Sequence, residues 1–461
     1  MYNNIRLVTT YPPRKCGVGT FSRDLATALE HFTAEVGHIR VAAIDNGSGP
    51  YGIPVDLVID QFNPASWENA ITHICSRAGE SQNRTIVLLQ HEYGLDPADD
   101  GTPARGHHYV DMARAFRKKG LTTLVYLHTV LNDPDAHQKK ILQELAAESD
   151  GLIVTTESAI DILESEVYRI PHIELKHIDH GIRMQHRTHY DRLAIKRDYG
   201  LENHLLVTTL GLLSPGKGVQ YGIRAYGRFV QTSCTEVQRR QIVYLIAGQC
   251  HPEFVKADGG RHYRDYMQQL NKALEESGLS WCRVHDLSEV DYDSHDVVFY
   301  DGFLDDTTLV RLYAATNAMI LPYENMQQIS SGILADTLGS GRVAIATKFM
   351  YARELINSNK RLPEGMYIGR YVRGILVDPG EPSVEQIAKA LDYLVFNEGK
   401  RLIMEKQAHQ RGYQMRWNNS AWALLQYVDF VRELKEIVTG RGVKFNRNQA
   451  APFSLDTHQS G

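Results

Sequence analysis

One feature limits what this chain can become: short apolar runs alternate with longer mixed segments, and the series restarts near the middle. In the first half the runs are IRLVTT at 5–10, HIRVAAI at 38–44, TIVLLQH at 85–91, TTLVYLH at 122–128 and GLIVTT at 151–156. Each has the length of a buried strand, and the intervals can hold crossover helices. Parallel strands need such crossovers, which cover both faces of their sheet. A second series follows with LLVTTLG at 205–211, QIVYLIAG at 241–248, DVVFYDGF at 296–303, NAMILPY at 317–323 and RVAIAT at 342–347. VQYGIRAYGRFVQ at 219–231, DYMQQLNKALEES at 265–277 and SAWALLQYVDFVRELKEIV at 420–438 read as helices. Two successive series predict two α/β domains, with a boundary in the charged stretch 183–203.

Size agrees, because 461 residues exceed one ordinary core. The formal net charge of -5 gives no global reason to expect nucleic acid as a partner. The opening MYNNIRLVTTYPP reads as a first strand rather than a secretory leader. No apolar run reaches the roughly 20 residues that cross a bilayer, which leaves peripheral membrane contact open. Five scattered cysteines form no CxxC pair, which suits a reducing, cytoplasmic compartment. The end of the chain, rich in Asn, Gln and Ser, reads as a flexible tail.

Chemistry-bearing residues gather where strands end. Gly17 and Gly19 follow the first strand and open a helix, as either a plain tight connection or a loop facing a phosphate or sugar oxygen. His91, Glu92 and His128 sit at the ends of two further strands, where open α/β sheets bind ligands. Alone, each is also read as a structural or solvated group. Lys217 follows a Pro/Gly turn and suits either solvent or a diphosphate. Ser330, Ser331 and Gly332 open a short helix, as a cap or as donors to a ligand, and Asp336 suits a ribose or sugar diol. Asp291 and Asp293 form a DxD in a polar loop, where solvated acids are the better reading. His107 and His108 alone do not establish a metal centre, and no GxSxG elbow is present.

Taken together, YPPRKCGVGTFSRDLATAL, LLQHEYG, YLHTV, HGIR, LGLLSPGKG, LIAGQCHPE, the 321–341 block, YARELI and GILVDPG resemble glycosyltransferase family 4 over about residues 5–435. That resemblance implies the GT-B fold, in which two Rossmann-like domains face each other across a cleft. It implies an acceptor-side domain at 1–183, a donor-binding domain at 184–415, a returning helix at 416–440 and a tail at 441–461. The activity implied is retaining transfer from a nucleotide-sugar to a hydroxyl-bearing sugar acceptor, with no cofactor and no metal. Gly17 and Gly19 would border the donor. His128 would lie near the transferred sugar, Lys217 near the diphosphate, Gln328 near the donor sugar and Asp336 near the ribose. Ser331 and Gly332 would add donors.

Two positions depart from the family. Leu212 stands where an arginine is expected, so Arg183 or another arginine would have to supply that charge. Gln328 and Asp336 replace the usual pair of glutamates, and Gln carries no charge. A sugar phosphorylase of the same fold and a carbohydrate- or nucleotide-binding protein without turnover are the rival readings.

Overall fold

The computed structural model describes residues 4–32, 39–78, 85–97, 106–183, 189–250, 252–356 and 372–438. The stretch expected as a tail, 441–461, lies outside them.

The first sheet contains β1 (Asn4–Thr9), β2 (Ile39–Asp45), β3 (Val55–Asp60), β4 (Thr85–His91), β5 (Thr122–Leu127), β6 (Gly151–Val154) and β7 (Leu175–His177), in the order β3-β2-β1-β4-β5-β6-β7. The second contains β8 (Leu205–Leu210), β9 (Ile242–Ala247), β10 (Trp281–Val284), β11 (Val297–Tyr300), β12 (Ala318–Leu321), β13 (Val343–Thr347) and β14 (Gly374–Val377), in the order β10-β11-β9-β8-β12-β13-β14. Paired strands are parallel in both. Strand order reverses between β1 and β4, and again between β8 and β12. Such switch points open a crevice beyond the strands' carboxyl ends.

All ten strands expected from apolar runs are present, and four more join them. Edge strands β3 and β10 alternate exposed positions with half-buried or, at Ile59, buried ones, so their sequences show no continuous apolar run. β7 has only three residues and β14 only four, too few for a periodicity.

Each sheet is buried on both faces. On the first, Val8, Leu89 and Val125 pack with Trp67, Tyr109 and Ile141 from one set of helices, while Leu7, Leu88 and Leu124 pack with Phe21, Leu25 and Leu424 on the other side. On the second, Tyr244, Ile320 and Ile345 meet Ile223, Leu270 and Ile387, and Leu245, Met319 and Leu321 meet Leu312, Leu334 and Ala408.

The last helix, Trp417–Val438, lies against the helix Gly17–Glu30 of the first sheet. Its Trp417, Leu424, Leu425, Val428 and Val431 are buried there. Burial of a large apolar side chain stabilises by about 1.5–3 kcal/mol, so this helix is firmly seated. Its approach dictates a glycine. A Cβ on Gly181 would sit 2.1 Å from the Trp417 indole. The two chain crossings between the halves are tied together: Ile182 N–H donates to Met415 O at 2.8 Å, and Arg411 pairs with Asp179. The helix His189–Asp198 packs on the helix Asp306–Ala315, against the second sheet.

The halves touch across the cleft through specific polar contacts. Thr155 Oγ1 donates to Ile329 O at 2.9 Å, and Asn132 N–H donates to Gln327 Oε1 at 3.1 Å. Arg183 holds Asp24 through two nitrogens at 2.9 Å and reaches Asp306 at 2.7 Å. No helix among the described residues is long and apolar enough to cross a membrane.

Candidate functional site between the two sheets

Gly17, Gly19, Glu92 and His128 lie beyond the carboxyl ends of β1, β4 and β5 on one side, and Lys217, Gln328, Ser331, Gly332 and Asp336 follow β8 and β12 on the other, whereas Arg183 follows β7 and Asp291 and Asp293 lie between β10 and β11. The loop after β1 leads into the helix Gly17–Glu30, capped by Cys16, whose Sγ accepts from Gly19 N–H at 3.3 Å. A Cβ on Gly17 would meet nothing within 4 Å, so this turn is open on its outer side. Gly19 differs, because a Cβ there would lie 3.3 Å from Cys16 Sγ. Lys15, in the same loop, extends over the Phe303 ring at 4.6 Å, which belongs to the segment after β11. That lysine brings a positive charge into the contact between the halves.

His128 ends β5. Its Nε2 lies 2.7 Å from Gln90 Oε1, and its ring meets Phe21 edge-on at 4.9 Å. Desolvation, with His180 and His91 nearby, lowers its pKa to about 3. It is therefore a neutral imidazole at ordinary pH. Phe21 also contacts the ring of His180 at 5.1 Å. The Nδ1 of His180 lies 2.7 Å from Gly181 O, so Nδ1 carries the proton and Nε2 bears the lone pair. Burial lowers the His180 pKa to about 4. A Cβ on Gly332 would sit 3.6 Å from His180 Nε2, so the chain His128–Phe21–His180–Gly332 links the two halves.

Gly332 begins the helix Gly332–Gly339, and Ser331 caps it by accepting Leu334 N–H at 3.3 Å. The remaining amides of that first turn give a site suited to anionic or hydroxyl oxygens. Gln328 lies just upstream, its Nε2 donating to Ser330 O at 2.7 Å. Asp336 accepts weakly from Arg183 N–H at 3.4 Å. Its pKa is raised well above the carboxylate range by burial, then by Asp24 and Asp306.

Lys217 ends the turn Pro215–Lys217 that follows β8. Gly218 has φ +62, and a Cβ there would lie 2.1 Å from Pro322 O, so only glycine fits. This turn therefore presses against the loop after β12, where Lys217 Nζ rests 3.9 Å from the centre of the Tyr323 ring. Leu212 brings no charge. Arg183 spends its guanidinium on Asp24 and Asp306.

Several other candidates have structural partners. Glu92 accepts from Thr129 Oγ1 at 2.6 Å and from Tyr93 N–H at 3.0 Å, as a satisfied loop carboxylate. Asp291 accepts from Asp293 N–H and Ser294 Oγ in its own loop. His107 and His108 acquire a neighbour that their sequence did not reveal: Asp96 lies with them so that one ligand atom from each falls within 4.8 Å of the others. Its carboxylate already holds His108 N at 2.8 Å and lies 2.6 Å from Nδ1, as a cap for that helix.

Sequence reasoning gave no role to Lys15, Phe21, Gln90 or His180. Lys15 and Phe21 stand inside YPPRKCGVGTFSRDLATAL, Gln90 inside LLQHEYG and His180 inside HGIR, which was the signal available. Gln90 immediately precedes His91. Phe21 looked like an ordinary helix residue.

No protein-family model matches the chain, and no curated protein does. Solved structures do match. Anabaena HepE in complex with UDP aligns with a TM-score of 0.60 at 14% identity, over 95% of this chain and 100% of that one. A glycosyltransferase from Rickettsia africae aligns at 0.63 and 13% identity, over 94% and 99%. An α,α-trehalose-phosphate synthase (UDP-forming) from Burkholderia xenovorans, in complex with glucose-6-phosphate, aligns at 0.63 and 13% identity, over 93% and 100%. The likeness is one of fold: this chain has the GT-B architecture of two Rossmann-like domains facing across a cleft.

Proposed function

We propose that this chain is a retaining glycosyltransferase, akin to family 4, that moves a sugar from a nucleotide-sugar to a hydroxyl of a saccharide. The observation that carries the reading is the placement of Lys217, the Ser331–Gly332 helix start and the Gly17–Gly19 turn at the two switch points, with His128 beside the first of them after the neighbouring β5. The UDP held by the Anabaena structure supports a uridine diphosphate sugar as the first donor to try.

In this reading residues 1–183 form the acceptor side and 184–415 the donor side, with 416–440 returning to the first domain. The packing of Trp417–Val438 on Gly17–Glu30 supports that division. Lys217 neutralises the departing diphosphate. The helix N-termini at Gly17 and Gly332 offer amides to the same charge. Lys15 supplies a cation opposite Lys217 in the absence of an arginine at 212. Arg183 holds the domains together beside Asp336, which faces the ribose. Gln328 borders the donor sugar, and neutral His128 orients it. The bond from the sugar's anomeric carbon to the diphosphate breaks as the acceptor oxygen attacks from the same face. The leaving phosphate oxygen takes the acceptor's proton. The same reading places the enzyme in the cytoplasm, which five free thiols fit.

The test is a screen of UDP-, GDP- and ADP-hexoses for nucleotide release, followed by product analysis with saccharide acceptors. Turnover requires a nucleotide-sugar, and the product keeps the donor's anomeric configuration. Lys217→Ala lowers kcat/KM by about 100- to 1000-fold, the usual effect of losing one donor to a developing anion. Turnover that needs a glycoside and inorganic phosphate instead establishes the phosphorylase, and full activity in Lys217→Ala overturns the role of Lys217.

A further inference from the structure

Gln90 is fully buried at the penultimate position of β4. Its backbone carbonyl accepts from Tyr109 Oη at 2.9 Å, and its Oε1 lies 2.7 Å from His128 Nε2. Its Nε2 is buried without a partner. An unmet buried donor costs about 1–3 kcal/mol, which a leucine or methionine in the same space would not incur. Packing therefore does not account for an amide here.

The amide oxygen only accepts, so the bond requires a proton on His128 Nε2. Nδ1 is then a bare lone pair. Phe21, edge-on at 4.9 Å, and Tyr126, stacked at 6.0 Å, hold the ring in place. We infer that Gln90 is a positioning residue that locks His128 in the Nε2–H tautomer, so that Nδ1 accepts a hydrogen bond from a sugar hydroxyl in the cleft. The sugar part rests on the transferase reading. The tautomer part does not.

This assignment has a pH consequence. The groups around His128 are Gln90 and His91 from β4, Tyr126 from β5, Phe21 from the helix after β1, and His180 from the crossing segment. None is a carboxylate. The wild-type ring therefore stays neutral and keeps its acceptor through neutral pH. A glutamate at position 90 would still accept from Nε2–H while favouring the imidazolium, whose Nδ1 donates instead of accepting.

The experiment combines nitrogen-detected NMR of the histidine rings in the unliganded full chain with kinetics of Gln90→Leu and Gln90→Glu. His128 in the wild type shows a protonated Nε2 and a bare Nδ1 at pH 7; the opposite tautomer overturns the inference, whatever the protein's activity. In kinetics with the donor found by the screen, Gln90→Leu lowers kcat/KM about 10- to 100-fold at every pH. Gln90→Glu retains more activity than Gln90→Leu and recovers as pH rises from 6 to 8, a limb that the wild type lacks. Packing alone predicts the reverse ranking, with leucine better tolerated than glutamate. That ranking, or a flat profile in Gln90→Glu, refutes positioning. If no nucleotide-sugar turns over, the NMR result alone decides the tautomer and the transferase reading fails separately.

Discussion

Glu354 offers a quantitative test of how the two halves hold each other. The helix Glu157–Glu164 belongs to the first sheet, and its N-cap residue, Thr156, makes no side-chain capping bond. The cap comes from the other half. Glu354, on the helix Met350–Ile356, accepts Ser158 N–H at 2.7 Å and Glu157 N–H at 3.0 Å, and also bonds Ser158 Oγ. Loss of an N-cap costs about 0.5–2 kcal/mol. Loss of a carboxylate at the positive end of a helix costs about 0.3–1 kcal/mol more. Glu354→Ala should therefore weaken this helix start by about 0.8–3 kcal/mol, a factor of roughly 4 to 150 in its opening equilibrium. Hydrogen exchange of a peptide spanning 156–165 reads that factor directly. Glu354→Gln keeps an acceptor without the charge and should fall between the two. The buried strand β5 serves as control and should not change. Exchange within twofold of wild type, or equal acceleration in β5, refutes the capping account.

Two further outcomes follow from buried groups. His91, His128 and His180 have pKa values lowered to about 4, 3 and 4, chiefly by burial. The unfolded chain binds their protons near pH 6.5, before the folded chain does, so stability is full above that pH and falls as pH drops toward 4. Each contributes a slope of up to about 1.4 kcal/mol per pH unit in that window. His91 has both ring nitrogens unpartnered, so His91→Leu should reduce the slope of urea stability between pH 7 and 5; an unchanged slope counts against the assignment. Gly181→Ala forces a methyl against Trp417 and should cost about 1–3 kcal/mol, as overpacking does. In a Trp417→Ala background the same change should cost much less, and additivity of the two would refute the contact.

The sequence determined the layered architecture because buried parallel strands leave continuous apolar runs. It also showed which polar residues would lie at strand ends, since His91 and His128 close such runs and Lys217 follows one after a Pro/Gly turn. Edge strands β3 and β10 were invisible, because their half-exposed faces break the run. Family likeness named Arg183 as a spare cation, but only folding showed its guanidinium bridging Asp24 and Asp306. Likewise Glu354 and the helix it caps lie 197 residues apart. Gln90 and His128 meet at 2.7 Å only because β4 and β5 pair side by side. Local pattern records what each segment must bury. Which polar groups then face one another is a property of strand order and of how two sheets meet.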